Sequence, residues 1–324
     1  MMGMTRRVSR LLAVVFLGIA APAGAEAQVD ELTTLCLLVG TGGGMQRCEE
    51  YALTATVVQA GAGLSHADGG AFQGSLSTRS LRFGAKPRVA FSARVAFTRY
   101  PVIRPDPVAR NGMDWDYSIS PSFHGQATVG LFDGFSIGPT VGGLLALDAI
   151  GKADLTLFPD SKGFVDRQST GFGYGARVGL LRESATLPGV NFSATRTHGG
   201  DVDYIGGEIG IHLDNVLTTS LRAVVGKEFM IGGIQAGAGW DRYESDGEIL
   251  FLGPIVTPPP PTPMVDFHTS RLLFFGGWSK TFRVMQVSGE FGWARGFHGV
   301  TPHVEEFDPA TGSLFGSFSV RLAV

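Results

Sequence analysis

Two cysteines, a low charge content and the lack of a long hydrophobic run set the first limits on this chain of 324 residues. Charged residues are only 17% of it and sum to a formal net charge of −3. That balance disfavours a strongly basic nucleic-acid binder, so no nucleic-acid partner is expected. Nothing beyond the amino terminus reaches the 18 or so consecutive apolar residues of a transmembrane helix. A redox Cys-x-x-Cys pair is absent. So are the Gly-x-Ser-x-Gly elbow and the His-Glu-x-x-His zinc motif. The run Gly40-Thr41-Gly42-Gly43-Gly44 lacks the Gly-Lys-Ser/Thr ending of a phosphate loop and reads as a flexible loop. No cofactor and no metal are expected.

Glycine is what the chain has in excess. It supplies 47 of 324 residues, roughly twice the usual share. The glycines have no three-residue period, which excludes a collagen. With 44% hydrophobic residues, wholesale disorder is excluded as well.

The amino terminus reads as an address. Arg6, Arg7 and Arg10 precede an apolar run from Leu11 to Ala21, followed by small residues through Ala27. This is the pattern of a secretory signal peptide over 1–27, cleaved after Ala27. As a membrane anchor the run is too short, covering about half of a ~30 Å hydrocarbon core. Export leads to an oxidising compartment, where Cys36 and Cys48 are expected to form a disulfide stabilising by roughly 3 kcal/mol.

From residue 85 onward apolar and polar residues alternate with period two. Val89, Phe91, Ala93, Val95 and Phe97 share one face against Arg88, Ser92, Arg94 and Thr98. The same alternation recurs around Phe123, Phe172, Leu221, Ile234, Val287 and Val320. Such strands separate two different solvents. They are long, and aromatics (Tyr100, Phe132, Trp240, Trp278, Trp293) stand at the ends of the apolar faces, as an interfacial girdle requires. In lipid every backbone donor must be paired, so the strands must close.

The fold expected is all-β: an antiparallel transmembrane β-barrel over 85–324. Alternating short and long connections give ten strands, at 87–100, 114–132, 135–157, 171–182, 189–198, 203–226, 230–244, 266–280, 283–297 and 312–324. If 203–226 divides in two, residues 75–84 supply a further strand and the count becomes 12.

The last strand, Leu314 to Val324, has hydrophobic residues at alternating positions. It resembles the carboxy-terminal strand of bacterial outer-membrane β-barrel proteins, though it ends in Val324 where an aromatic is common. The glycine-rich, arginine-bearing strands likewise resemble Gram-negative barrels. The resemblance implies the outer membrane as location, with its lipids and lipopolysaccharide as surroundings. It also implies the barrel assembly machinery as a partner that reads the last strand.

Residues 28–84 do not alternate. Leu53, Val57, Ala60 and Leu64 fall at helical spacing behind Glu49 and Glu50, and Gly61, Gly63 and Gly69-Gly70 are expected to end the helix. This segment reads as a cap resting on the barrel mouth, or, less simply, as a plug inside it. Inward faces carry Arg88, Arg94, Arg177, Arg222 and Arg321 with Asp116 and Glu290. These are candidate lumen-lining residues, forming an anion-preferring path or a network of ion pairs that fills a narrow barrel. The function expected is passive passage or binding of a small solute, hydrophobic compounds included. A structural or surface-interaction barrel with a filled lumen is the alternative. A rim hydrolase is the second alternative, with His198, Asp201, Asp203, Asp266, His268, His298, His303, Glu305 and Glu306 in the outer loops.

Overall fold

A computed structural model describes residues 25–39, 44–67, 89–105, 113–136, 144–184, 187–206, 209–251, 264–283, 285–297, 308 and 310–323. Most of the expected signal peptide, Arg88 and the reserve strand 75–84 lie outside these residues.

Two helices come first, α1 (Ala25–Val39) and α2 (Gly44–His66). Eleven strands follow among the described residues: β1 (Val89–Pro105), β2 (Met113–Phe132), β3 (Ala146–Leu157), β4 (Gln168–Leu181), β5 (Gly189–Gly199), β6 (Val202–Gly206), β7 (Ile209–Phe229), β8 (Gly232–Phe251), β9 (Val265–Phe282), β10 (Met285–Ala294) and β11 (Ser313–Ala323). All pairings are antiparallel, in the order β5-β4-β3-β2-β1-β11-β10-β9-β8-β7. The β5–β7 pairing closes the ring, making a ten-stranded barrel with β6 as one extra short strand. First and last strands meet at a seam where Ala93 faces Val320.

The ends of β1 and β11 share one rim, here the terminal rim, with the tight turns at Met230-Ile231 and at Arg283. The connections 106–112, 158–167, 252–264 and 295–312 lie at the opposite, loop rim, while the terminal rim carries the 13-residue connection 133–145 beside its tight turns, so connection length alone does not separate the two rims.

Period two explains the strands. In β3 every second residue is buried, while Phe91, Phe123, Phe172, Phe291 and Phe318 on other strands are exposed outward. An aromatic surface of this extent does not stay monomeric in water and matches a hydrocarbon-facing belt. On β8 the outward residues change from Ile234, Ala236, Ala238 and Trp240 to Arg242, Glu244, Asp246 and Glu248, which marks the belt's edge on the loop side.

Three expectations need correction. The outer turn expected at 198–203 lies at 206–209, because β6 pairs with the upper part of β7 and continues the line of β5. The strand expected from 135 begins at Ala146, and Phe135 makes only an isolated bridge to Leu144. Tyr100 does not belong to the outer girdle: its position on β1 turns it inward, and it is fully buried. β7 is continuous but bulged between Asp214 and Leu217, with Asn215 at φ 48°. Asparagine tolerates that left-handed conformation, and the extra residue lets both Leu213 and Val216 face inward.

Candidate functional site

The lumen holds the features on which any function depends. Every residue from Tyr51 to Ala67 is buried, although α2 touches no other helix except α1. Its neighbours are β1, β2, β3, β5, β7, β8 and β9, so the helix is encircled by the wall. It is inserted, where the simpler sequence reading had a cap. Cys36 and Cys48 are disulfide-bonded and tie α1 to α2.

Side chains fix the helix along its length. Gln59 Nε2 donates to Ser245 Oγ (3.0 Å) and to the Phe267 carbonyl (2.8 Å), and Thr269 Oγ1 donates to its Oε1 (3.0 Å). The Thr218 hydroxyl donates to the Gly63 carbonyl at 3.4 Å. At the last turn His66 Nδ1 meets Asp154 Oδ2 at 2.5 Å, with both side chains fully buried. The Gln28 amide of α1 lies on the backbone of His268, accepting from its N–H at 2.7 Å. There the β9 edge has run past its β10 partner, which pairs only as far as Leu273.

Gly61 and Gly63 do not end the helix. They thin it where wall tyrosines press in: a Cβ on Gly61 would stand 2.4 Å from the Tyr100 ring, and one on Gly63 2.3 Å from Tyr243. The wall answers in kind, since a Cβ on Gly199 would stand 2.9 Å from the His66 ring. Helix and wall therefore interlock by exchanging glycine for a ring.

Nearer the terminal rim the lumen is charged. Arg177 donates from Nε (2.9 Å) and from Nη2 (2.6 Å) to Asp148, both nearly fully buried. Arg222 pairs two-pronged with Asp241 at 2.5 and 2.9 Å. Tyr243 donates to the same carboxylate at 3.1 Å. On the loop side a further buried cation, Arg271, donates to the Arg295 carbonyl (2.8 Å) and to Ser313 Oγ (2.9 Å), where β10 ends and β11 begins. Of the seven candidate lumen residues, Arg94, Arg177, Arg222 and Glu290 are buried on inward faces, and Arg321 is half-buried. Asp116 is a correction: it is exposed at the loop rim and paired with Lys162, because β2 has there risen clear of the lumen. Arg88 lies outside the described residues.

The outer-loop candidates do not converge. His198 faces outward and stacks on Phe172 at 5.5 Å. Asp201 accepts from the Asn215 N–H at 3.0 Å. Asp266 stands opposite Asp246, and His268 opposite Glu244. His298, His303, Glu305 and Glu306 lie outside the described residues. The His–Asp constellation described at this rim joins the candidate Asp203 to a histidine the sequence reading did not single out. His212 Nδ1 is bonded to Asp203, and its Nε2 lies 3.0 Å from Asp214. The hydrogen bond to Asp203, with the charges of Asp203 and Asp214, raises the His212 pKa above the ordinary histidine value, which favours the charged ring that donates to both carboxylates and disfavours a role as a free base. Nearby Asp166 is held above the usual carboxylate range by its partial loss of hydration and by the charge of Asp203.

Sequence reasoning missed Gln59, His66, Tyr100, Asp154, Asp241 and Tyr243. One signal was available. Strands that are apolar on both faces, as at Leu272-Leu273-Phe274-Phe275, imply apolar material inside the barrel.

No protein-family model matches the chain, and no curated protein matches its sequence. Among solved structures it is similar to the translocator domain of the autotransporter NalP from Neisseria meningitidis, at 12% identity and a TM-score of 0.38, covering 82% of this chain and 94% of that one. It is also similar to the transport unit of the autotransporter AIDA-I from Escherichia coli, at 9% identity and 0.39, covering 84% and 99%. The outer membrane protease OmpT from Escherichia coli is a third, at 10% and 0.36, covering 76% and 100%.

Proposed function

We propose that this chain is an outer-membrane barrel that its own amino-terminal hairpin closes, and that passes small solutes only when α2 leaves the lumen. A signal peptide over 1–27 exports it, the last strand engages the barrel assembly machinery, and the exposed belt sits among membrane lipids and lipopolysaccharide. The observation that carries the reading is the complete burial of Tyr51 to Ala67 within the wall. Chain length supports the plug's release. Residues 68–88 connect it to β1, and that many residues reach on the order of 70 Å when extended. The hairpin can then leave without opening a single wall pairing.

The filled structural barrel is the second reading, favoured by the buried Arg177–Asp148 and Arg222–Asp241 pairs, each between neighbouring strands, whose side chains occupy inward positions of the remaining lumen. Conductance in planar bilayers separates the two. The full mature chain is expected to be silent, and a variant lacking residues 28–67 to open in steady steps. Steady steps from the full chain would refute closure by the plug. Silence from a correctly folded deletion variant would establish the filled barrel instead.

A further inference from the structure

The outer surface carries a groove that the lumen does not explain. It crosses the seam of the barrel, on the row Gly125, Ala93, Val320 and Val287 contributed in turn by β2, β1, β11 and β10. Phe123 and Phe318 rise above this floor as walls, the latter 70% exposed. Arg94, His124 and Ser319, which alternate with these residues, are buried on the other face, so the groove opens outward and presents apolar groups. Its volume is about 540 Å³, within the roughly 300–1,000 Å³ of small-ligand sites.

We infer that this groove is a site for one acyl chain of a phospholipid from the leaflet on the terminal-rim side. Level and chemistry both select that occupant. Ala93 lies four residues above Val89, where β1 begins at the terminal rim, and the groove lies in the exposed aromatic belt, where hydrocarbon is the surrounding solvent. What marks the groove is relief: Phe123 and Phe318 stand over a floor in which Gly125 and Ala93 lie beside Val320 and Val287, and a Cβ on Gly125 would meet nothing nearer than the Ala153 carbonyl at 4.0 Å. An empty recess forgoes dispersion contacts that a chain lying in it restores. The recess joins the first strand to the last, so its occupant would bridge the barrel's own closure.

The test is fluorescence quenching in lipid nanodiscs by phospholipids with brominated acyl chains, after subtraction of the native tryptophan signal. Phe123→Trp places a reporter on the groove wall, and Phe172→Trp places one on the open belt of β4. The groove reporter is expected to be quenched saturably, several-fold more than the control when brominated lipid is dilute. The control is expected to respond in proportion to its mole fraction. Adding Gly125→Leu fills the floor into open space and is expected to abolish the saturable part while the barrel stays folded. Proportional quenching of both reporters, or saturation that survives Gly125→Leu, would overturn the site.

Discussion

Two halves of one lumen solve the same problem differently. On the loop side the wall turns Tyr100, Ile211, Leu213, Val216, Phe267 and Leu273 inward, and a helix fills the space between them. Nearer the terminal rim the wall turns Arg177, Asp148, Arg222 and Glu290 inward. The first half gains from apolar area removed from water and is specified by shape. The second half holds charges that burial penalises and is specified by pairing. A barrel interior thus need not be one environment. Where wall residues carry the function of a core, a separate part of the chain has to complete that core.

The largest expected effect comes from breaking a pair in the charged half. Arg222 and Asp241 are 4% and 0% exposed. Replacing Arg222 by Ala leaves Asp241 buried and unpaired, with only the Tyr243 hydroxyl donating to it. The expected loss is roughly 3–5 kcal/mol in urea unfolding of the detergent-folded protein. Replacing both residues together by Met and Leu is expected to restore most of that stability, since the pair itself contributes little net energy. If the double replacement is as unstable as the single one, the charged half does more than neutralise itself.

The interlock on the loop side is the next to break. Gly61→Leu adds a side chain where a Cβ alone would lie 2.4 Å from the Tyr100 ring. Overpacking of this kind costs roughly 1–3 kcal/mol. It falls on the plug and not on the wall, whose pairings the residue does not join. The barrel is expected to fold, and the plug to become sensitive to protease and to admit current. Tyr100→Ala in the same chain is expected to reseat the helix. It removes one hydrogen bond, from Tyr100 to Ser120 at 2.8 Å, and opens the space the leucine needs. Current that persists in the double variant would show that ring and glycine do not act as a lock.

Most of the barrel was legible in the sequence, and the reason is physical. Outward faces meet one solvent, so the strands that carry Phe91, Phe172 and Phe318 keep period two, and alternation in turn length gave the count of ten while misplacing the β2–β3 connection, which runs from 133 to 145. The plug was less legible because it violates that rule locally. At Leu272 to Phe275 both faces are apolar, and alternation alone cannot say what lies inside. Gly61 and Gly63 misled for a related reason. Glycine usually ends a helix, but here it admits a neighbouring ring, and only tertiary contact distinguishes the two uses. The charged residues were found by parity, which gives the face and not the height. Arg177 and Arg222 lie deep, whereas Asp116, with the same parity on its strand, stands at the rim.

That difference in height gives the smallest effect, and it sharpens the boundary between lumen and rim. Asp116 is 60% exposed on its side chain, and its partner Lys162 sits on a single helical turn, Asp160–Lys162, within the connection between β3 and β4. An exposed pair of this kind is worth at most about 1 kcal/mol and is screened by salt. Asp116→Asn is expected to shift stability by less than that, and not at all in high salt. In a barrel opened by deleting residues 28–67, it is expected to leave the ratio of anion to cation permeability unchanged. Glu290→Gln, whose parent carboxylate is 7% exposed on an inward face, is expected to move that ratio toward anions. Equal shifts from the two variants would mean that the rim, and not the buried wall, selects the ion, and the division of the lumen drawn above would have to move outward to include it.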